Sequence, residues 1–387
     1  MSCCTSAPIV TQTCETLLSK CEIPIIDLAH MGTERCPQKG VVKQVSSKLV
    51  RALSEKGLAL LVNHGIPECK VLRFRNSAGY DNKNSTHHCD EKFDVISFID
   101  ISRILPDEMK AAYRAFDAFC ELSEDIRTKY ERNPMGNYGY VKPGPSKYTD
   151  EKEARHVFNV IGCGGTLPDE EVPGFRLAVN ELARDFKQLS AMLLTALAVG
   201  LEQSPDFLLS KHSRMLESGN ESTLRLLYYP PLGAPAPGLA RCGAHCDYGT
   251  FTLLAQHKLY PIPSSDISKL KYFCGLEIQS PYGERWGRVG HLPGAILVKT
   301  GDILANWTNN QLQALRHRVV VPEHCGRGRH SIAFFVHPDT NTPIEPLDTK
   351  IVKTNQEPAP CRLQKKKRGV LTAYHHIQRR LRETYAS

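Results

Sequence analysis

The 387-residue chain has no run of about 18 apolar residues, so no membrane-spanning helix and no membrane partner are expected. Its start, MSCCTSAPIVTQTCETLLSK, lacks a basic stretch followed by an apolar one. No secretory leader is expected there, and residues 1–22 read as a flexible leader. Fourteen cysteines include no C-x-x-C pair, which argues against a zinc finger and a disulfide framework and for free thiols in a cytoplasmic protein. There is no internal repeat. Residues 362–382 contain no acid but hold eight of the 49 Lys and Arg, and the other 41 balance 41 acidic residues. The net charge of +8 therefore sits in the tail, and a nucleic-acid partner is not expected of a neutral body. The run RLQKKKR also fits an import patch, which leaves a nuclear location open. With 41% apolar and 23% charged residues, the composition excludes a disordered chain, a collagen and a coiled coil.

What is present changes period along the chain. IPIIDLAH (23–30) and LALLVNHG (58–65) read as buried strands. Between them Val41, Val42, Val45, Leu49 and Leu53 mark one face of a helix over 40–55, which Gly57 closes. A helix is expected over 107–130, with Met109, Ala112, Tyr113, Phe116, Phe119 and Cys120 on one face, and another over 173–201 with a leucine stripe. From Thr223 the pattern is of short strands at 223–229, 249–256, 275–280, 295–301, 316–322 and 330–338. Residues 72–105 are polar and without period, and read as an insertion. An amphipathic helix over about 370–385 ends the chain.

Chemistry gathers at the strand starts. His245-Cys246-Asp247 opens GTFTLLAQ, and alternation on a strand would turn both ligand-type side chains to one side, with Cys246 away. H-x-D alone is weak, since His88-Cys89-Asp90 repeats it inside the patternless stretch. His317 heads another strand, and Arg329 and Ser331 share a side at the head of a third. An arginine there fits a structural salt bridge or a carboxylate ligand. The order is more specific than any part. Two histidines and a carboxylate leave three positions free on a metal, the facial triad of non-heme Fe(II) oxygenases. Zinc more often takes four ligands, or three and a water.

With those residues in order, the sequence resembles the iron(II)/2-oxoglutarate-dependent dioxygenases, in the subgroup of isopenicillin N synthase and the plant flavonoid and hormone oxidases. IPIIDL, GLALLVNHGI, LRLLYYPP, GAHCDYGTFTLLAQ, GLEIQSPYGERWGRV, PGAILVKTGDILANWTNN, LRHRVVVP and GRHSIAFFVHP carry the resemblance over about 23–340. It implies a mainly β fold with flanking helices around a double-stranded β-helix, or jelly-roll, core at 218–340. A mixed α/β region would precede it at 23–200, and a basic tail and helix would follow at 341–387. It implies Fe(II) on His245, Asp247 and His317, the catalytic centre, and 2-oxoglutarate held by Arg329, Ser331 and Tyr229. O2 would be the oxidant, with ascorbate an optional reductant. A small organic substrate would be hydroxylated or desaturated with release of succinate and CO2. Leu227 stands where the family commonly has Asn. Asn310, Leu312 and Ala314 replace its usual Gly, aromatic and Ser, and 257–274 reads as a second insertion. A same-fold oxidase without 2-oxoglutarate and an inactive metal-holding jelly roll stay open as alternatives. The main substrate and the oligomeric state are not legible.

Overall fold

The computed structural model describes residues 17–18, 23–29, 31, 39–64, 106–132, 137–145, 152–162, 165–231, 239–256, 273–279, 285–290, 292, 294–320, 328–347 and 371–385. The expected insertion at 72–105, residues 257–272 of the second, the RLQKKKR run and the duplicate motif His88-Cys89-Asp90 lie outside the described residues. In chain order the elements are β1 (Leu17–Leu18), β2 (Ile25–Asp27), α1 (Lys39–Lys56), β3 (Leu58–Val62), α2 (Pro106–Glu121), α3 (Glu124–Thr128) and β4 (Gly139–Val141). Next come β5 (Gly144–Pro145), β6 (Lys152–Glu153), β7 (His156–Val160), α4 (Phe175–Gly200), β8 (Thr223–Tyr229), β9 (Leu239–Ala240), β10 (Cys242–His245) and β11 (Phe251–Gln256). The last are β12 (Phe273–Gln279), β13 (Trp286–Gly290), β14 (Ile296–Thr300), α5 (Asp302–Trp307), β15 (His317–Val319), β16 (Arg329–Val336) and α6 (Ala373–Tyr385).

An eight-stranded sheet runs β2-β3-β14-β11-β16-β8-β7-β4, and a five-stranded sheet runs β1-β13-β12-β15-β10. Strands from 23–200 and from 218–340 thus share the larger sheet. This is the jelly-roll core with flanking helices. Alternation divides the faces of the larger sheet. Leu224, Leu226, Phe251, Leu253, Val298, Ile332 and Phe334 join one core cluster with α1, α2 and α4. Their neighbours Leu227, Tyr229, Leu297 and Ala333 join a second cluster with β10, β12 and β15 of the smaller sheet. Functional side chains on this inner face therefore lie between two sheets.

Helix α4 is apolar nearly all round, with Leu182, Phe186, Leu189, Leu193 and Leu197 fully buried, as expected of a helix inside a large fold. The helix expected over 107–130 breaks instead: Ser123 is extended, and α3 restarts at Glu124. Gly57 takes φ 69° after α1, and a Cβ there would lie 2.6 Å from the Gln313 carbonyl oxygen. No described helix is long and apolar enough to cross a membrane.

Candidate metal centre

The two histidines meet through strand register. β10 pairs antiparallel with β15, and His245 stands directly opposite His317; their ring centroids are 4.3 Å apart. His245 therefore ends a strand of the smaller sheet, where the sequence reading had put it at the head of β11. Asp247 lies in the segment that crosses from β10 to β11 in the larger sheet. That segment is pinned from behind. The Asp302 N–H donates to the Asp247 carbonyl at 2.8 Å, and the Ile303 N–H to the Gly249 carbonyl at 3.0 Å, both from the first turn of α5. Close approach is what admits these bonds. A Cβ on Gly301 would lie 2.3 Å from the Gly249 oxygen, and one on Gly249 would lie 2.4 Å from the Val336 oxygen.

One ligand atom from each of His245, Asp247 and His317 lies within 4.8 Å of the others. Asp247 Oδ1 is 3.7 Å from His245 Nε2 and 3.5 Å from His317 Nε2. The far ring nitrogens are engaged: His245 Nδ1 donates to the Gly243 carbonyl at 2.8 Å, and His317 Nδ1 to the Leu315 carbonyl at 3.1 Å. Such bonds leave Nε2 as the lone-pair donor a metal needs. The Gly243 N–H in turn donates to Glu153 at 3.0 Å, which fixes the turn that carries His245. Burial, then its His317 neighbour, holds the His245 imidazole well below its ordinary pKa. Burial and the Lys299 charge push His317 down to about 4. Burial alone would raise the Asp247 carboxyl. Lys299 and the two imidazoles outweigh it and hold the group well below the usual carboxylate range. At neutral pH the set is two neutral imidazoles and one carboxylate, which fits a hard-to-borderline divalent ion such as Fe(II). Cys246 lies outside the set, and burial raises the neighbouring Cys242 thiol to about 11. A protonated thiol is a poor metal ligand.

Arg329, Ser331 and Tyr229 line the same cavity with the triad. The Arg329 guanidinium lies over the Tyr229 ring, 4.0 Å from its centroid, and the two residues are register partners of β16 and β8. Among the described residues no carboxylate pairs with Arg329, which removes the salt-bridge reading for that set. Leu227, facing Ser331 in the register, makes the adjoining wall apolar. The departures before His317 are absorbed. Asn310 takes φ 60°, a left-handed conformation that asparagine tolerates, and Leu312 is fully buried.

Three cations of this cavity escaped the sequence reading. Arg155 pairs with Glu153 at 2.8 Å, and Arg225 donates to Asn159 Oδ1 at 2.7 Å. Lys299, on β14, is only 5% exposed. Its ammonium pairs with Asp247 Oδ2 and reaches His317 Nε2 at 2.6 Å, while Thr252 Oγ1 donates to the same carboxylate oxygen at 2.5 Å. The signal was a lone lysine inside the apolar run AILVKTG.

The model of the 2OG-Fe(II) oxygenase superfamily matches residues 220–338, which hold His245, Asp247 and His317 as well as Tyr229, Arg329 and Ser331. A 2-oxoglutarate-Fe(II) type oxidoreductase, ppzD of Metarhizium majus, is 30% identical over 365 residues, 83% of this chain and 97% of that protein. This chain belongs to the 2OG-Fe(II) oxygenase superfamily. It is an oxidoreductase of the class that works with Fe(II), 2-oxoglutarate and O2. Another relative of this oxygenase, the 2-oxoglutarate-dependent dioxygenase htyE of Aspergillus rugulosus, is 31% identical over 191 residues; that match spans 47% of this chain but only about half of htyE, 52%. A Neurospora crassa protein solved in complex with alpha-KG and thymine shares the fold at TM-score 0.67 and 21% identity, over 94% of this chain and 97% of that one.

Proposed function

We propose that this oxygenase hydroxylates or desaturates a small organic molecule at the expense of 2-oxoglutarate, which leaves as succinate and CO2. The observation that carries the reading is the convergence of His245, Asp247 and His317 in one cavity with an arginine that has no carboxylate partner among the described residues. Bound Fe(II) with 2-oxoglutarate supplies the activation of O2, which no amino-acid side chain can do.

The chain supplies the rest. His245, Asp247 and His317 would hold the ion, two imidazoles and one carboxylate that leave it able to take further ligands. Arg329 would receive the far carboxylate of 2-oxoglutarate, with Ser331 on the same side of the strand. Tyr229 braces the guanidinium from beneath, so the fork stays aimed without a counter-ion among the described residues. Leu254, Leu276, Val319, Ala333 and Phe335 give the cavity apolar walls that exclude bulk water. The small-molecule class is supported by the cavity's position between two sheets and by thymine in the Neurospora neighbour.

The test is an anaerobic titration of the purified protein with Fe(II) and then 2-oxoglutarate, followed by succinate measurement after O2 is admitted. The chelate should give a weak visible charge-transfer band, and succinate should follow. Oxygen uptake without succinate would instead identify an oxidase that uses Arg329 for its substrate's own carboxylate. Neither band nor uptake would leave a metal-holding binding protein.

A further inference from the structure

The three donors do not stand alone. Lys299 projects from β14 into the centre of the set, buried, with its ammonium on Asp247 Oδ2 and 2.6 Å from His317 Nε2. His317 Nε2 is an atom a metal would take, and Oδ2 belongs to the carboxylate whose Oδ1 faces both imidazoles. The imidazole nitrogen offers a single lone pair in its plane, so it can face the ammonium or a metal but not both. A divalent ion at ligand distance from Asp247 would also sit within a few ångströms of a like charge, which costs several kcal/mol in a buried site. Metal entry and the Lys299 position seen here exclude each other.

We propose that Lys299 is a built-in competitor for the metal: its ammonium neutralises Asp247 in the metal-free protein and must be displaced before a divalent ion binds. The inference rests on the reading of His245, Asp247 and His317 as the metal site. Its consequence is a lowered apparent metal affinity. When the binding-competent form is a tenth of the population, apparent affinity falls tenfold. The lysine also gives the empty site a counter-charge, so the metal-free fold does not carry a buried, unpaired carboxylate.

The experiment compares equilibrium Mn(II) binding by the metal-free full chain, read from loss of the free-ion paramagnetic resonance signal, in wild type, Lys299→Met and Lys299→Gln. Methionine keeps the length without the charge; glutamine keeps polarity. Both variants should bind Mn(II) about tenfold or more tightly than wild type. Their metal-free melting temperatures should fall, and Mn(II) should restore them by more than it raises the wild-type value. The gain should vanish when Asp247→Asn is added, and a gain that survives would place it elsewhere and overturn the proposal. Stoichiometric binding with equal or weaker affinity in both variants overturns the competitor and leaves the metal site standing. Absence of stoichiometric binding in all three proteins overturns both.

Discussion

Arg329 is 9% exposed and lies on Tyr229, with no carboxylate against it among the described residues. A buried guanidinium of that kind is stabilised when an anion pairs with it, as 2-oxoglutarate would under the proposed function. Removing one partner of a desolvated charge pair costs about 2–5 kcal/mol. Arg329→Ala should therefore weaken 2-oxoglutarate binding by roughly tens- to thousands-fold while metal affinity is largely kept, because Arg329 is not among the residues that would ligate the ion. Isothermal titration of the metal-loaded variant checks this, and wild-type affinity there would refute the clamp. Thr252 acts one step further back. Its hydroxyl donates to Asp247 Oδ2 at 2.5 Å, a bond that orients the carboxylate. Groups behind metal ligands typically matter by about 10–100-fold in metal affinity. Thr252→Val keeps the shape, so Mn(II) affinity should drop about tenfold with little change in melting temperature. A drop in melting temperature without loss of affinity would make Thr252 merely structural.

At the scale of elements, the centre depends on how tightly α5 and the Asp247–Thr250 segment can approach. Gly301 meets Gly249 backbone to backbone, and an added methyl carbon would lie 2.3 Å from the Gly249 oxygen. Backbone cannot swing aside as a side chain does, so Gly301→Ala should cost about 1–3 kcal/mol of stability. It should also weaken metal binding, because the Asp302 N–H to Asp247 carbonyl bond must stretch. Denaturant unfolding and a metal titration read the two effects, and a variant with both unchanged would show that the glycine pair is dispensable. Elements were also the level at which the sequence was most legible. The runs TLRLLYY and HSIAFFV, set off by turn residues, marked β8 and β16, and side chains alternate across any strand. Arg329 and Ser331 share a side for that reason. The assembly of the triad was legible as order but not as geometry: His245 ends a strand of the smaller sheet while Asp247 lies beyond it in the crossing segment, and the His245–His317 pairing is a register 72 positions apart in sequence. Local periodicity carries no information about such partners. Strand β7, with its single-residue polar break at Asn159, also went unread, and Lys299 was hidden by the apolar residues around it.

Across the whole molecule, histidine burial ties the site to the fold. His212 bonds Thr250 Oγ1 at 2.8 Å and the Leu208 carbonyl at 2.7 Å, and His376 of α6 lies 3.2 Å from the Tyr248 carbonyl. A Cβ on Gly249 would touch the His337 ring, so three imidazoles back the segment that carries Asp247. Arg380 of α6 adds a guanidinium over the Tyr248 ring at 4.7 Å and reaches Asp302 at 3.7 Å. Burial pushes His212, His317 and His337 down to about 4 and His376 to about 3. In the unfolded chain each would titrate near 6.5. Above that pH both states are neutral and the contribution to stability is fully present. As pH falls from about 6.5 towards 4 the unfolded chain takes up protons that the folded one refuses, and stability declines by up to about 1.4 kcal/mol per pH unit for each group. Four such groups can exhaust the roughly 5–15 kcal/mol that holds a typical domain together. The protein should lose melting temperature steadily below pH 6.5 and unfold cooperatively before pH 4. Mn(II) should move that midpoint to lower pH, because it competes with protons for His245 and His317 but does nothing for the other three. Circular dichroism melts between pH 7.5 and 4, with and without Mn(II), test both halves. A melting temperature flat to pH 4.5 would mean that these imidazoles are charged in the fold, and a metal-independent midpoint would mean that the triad holds no ion.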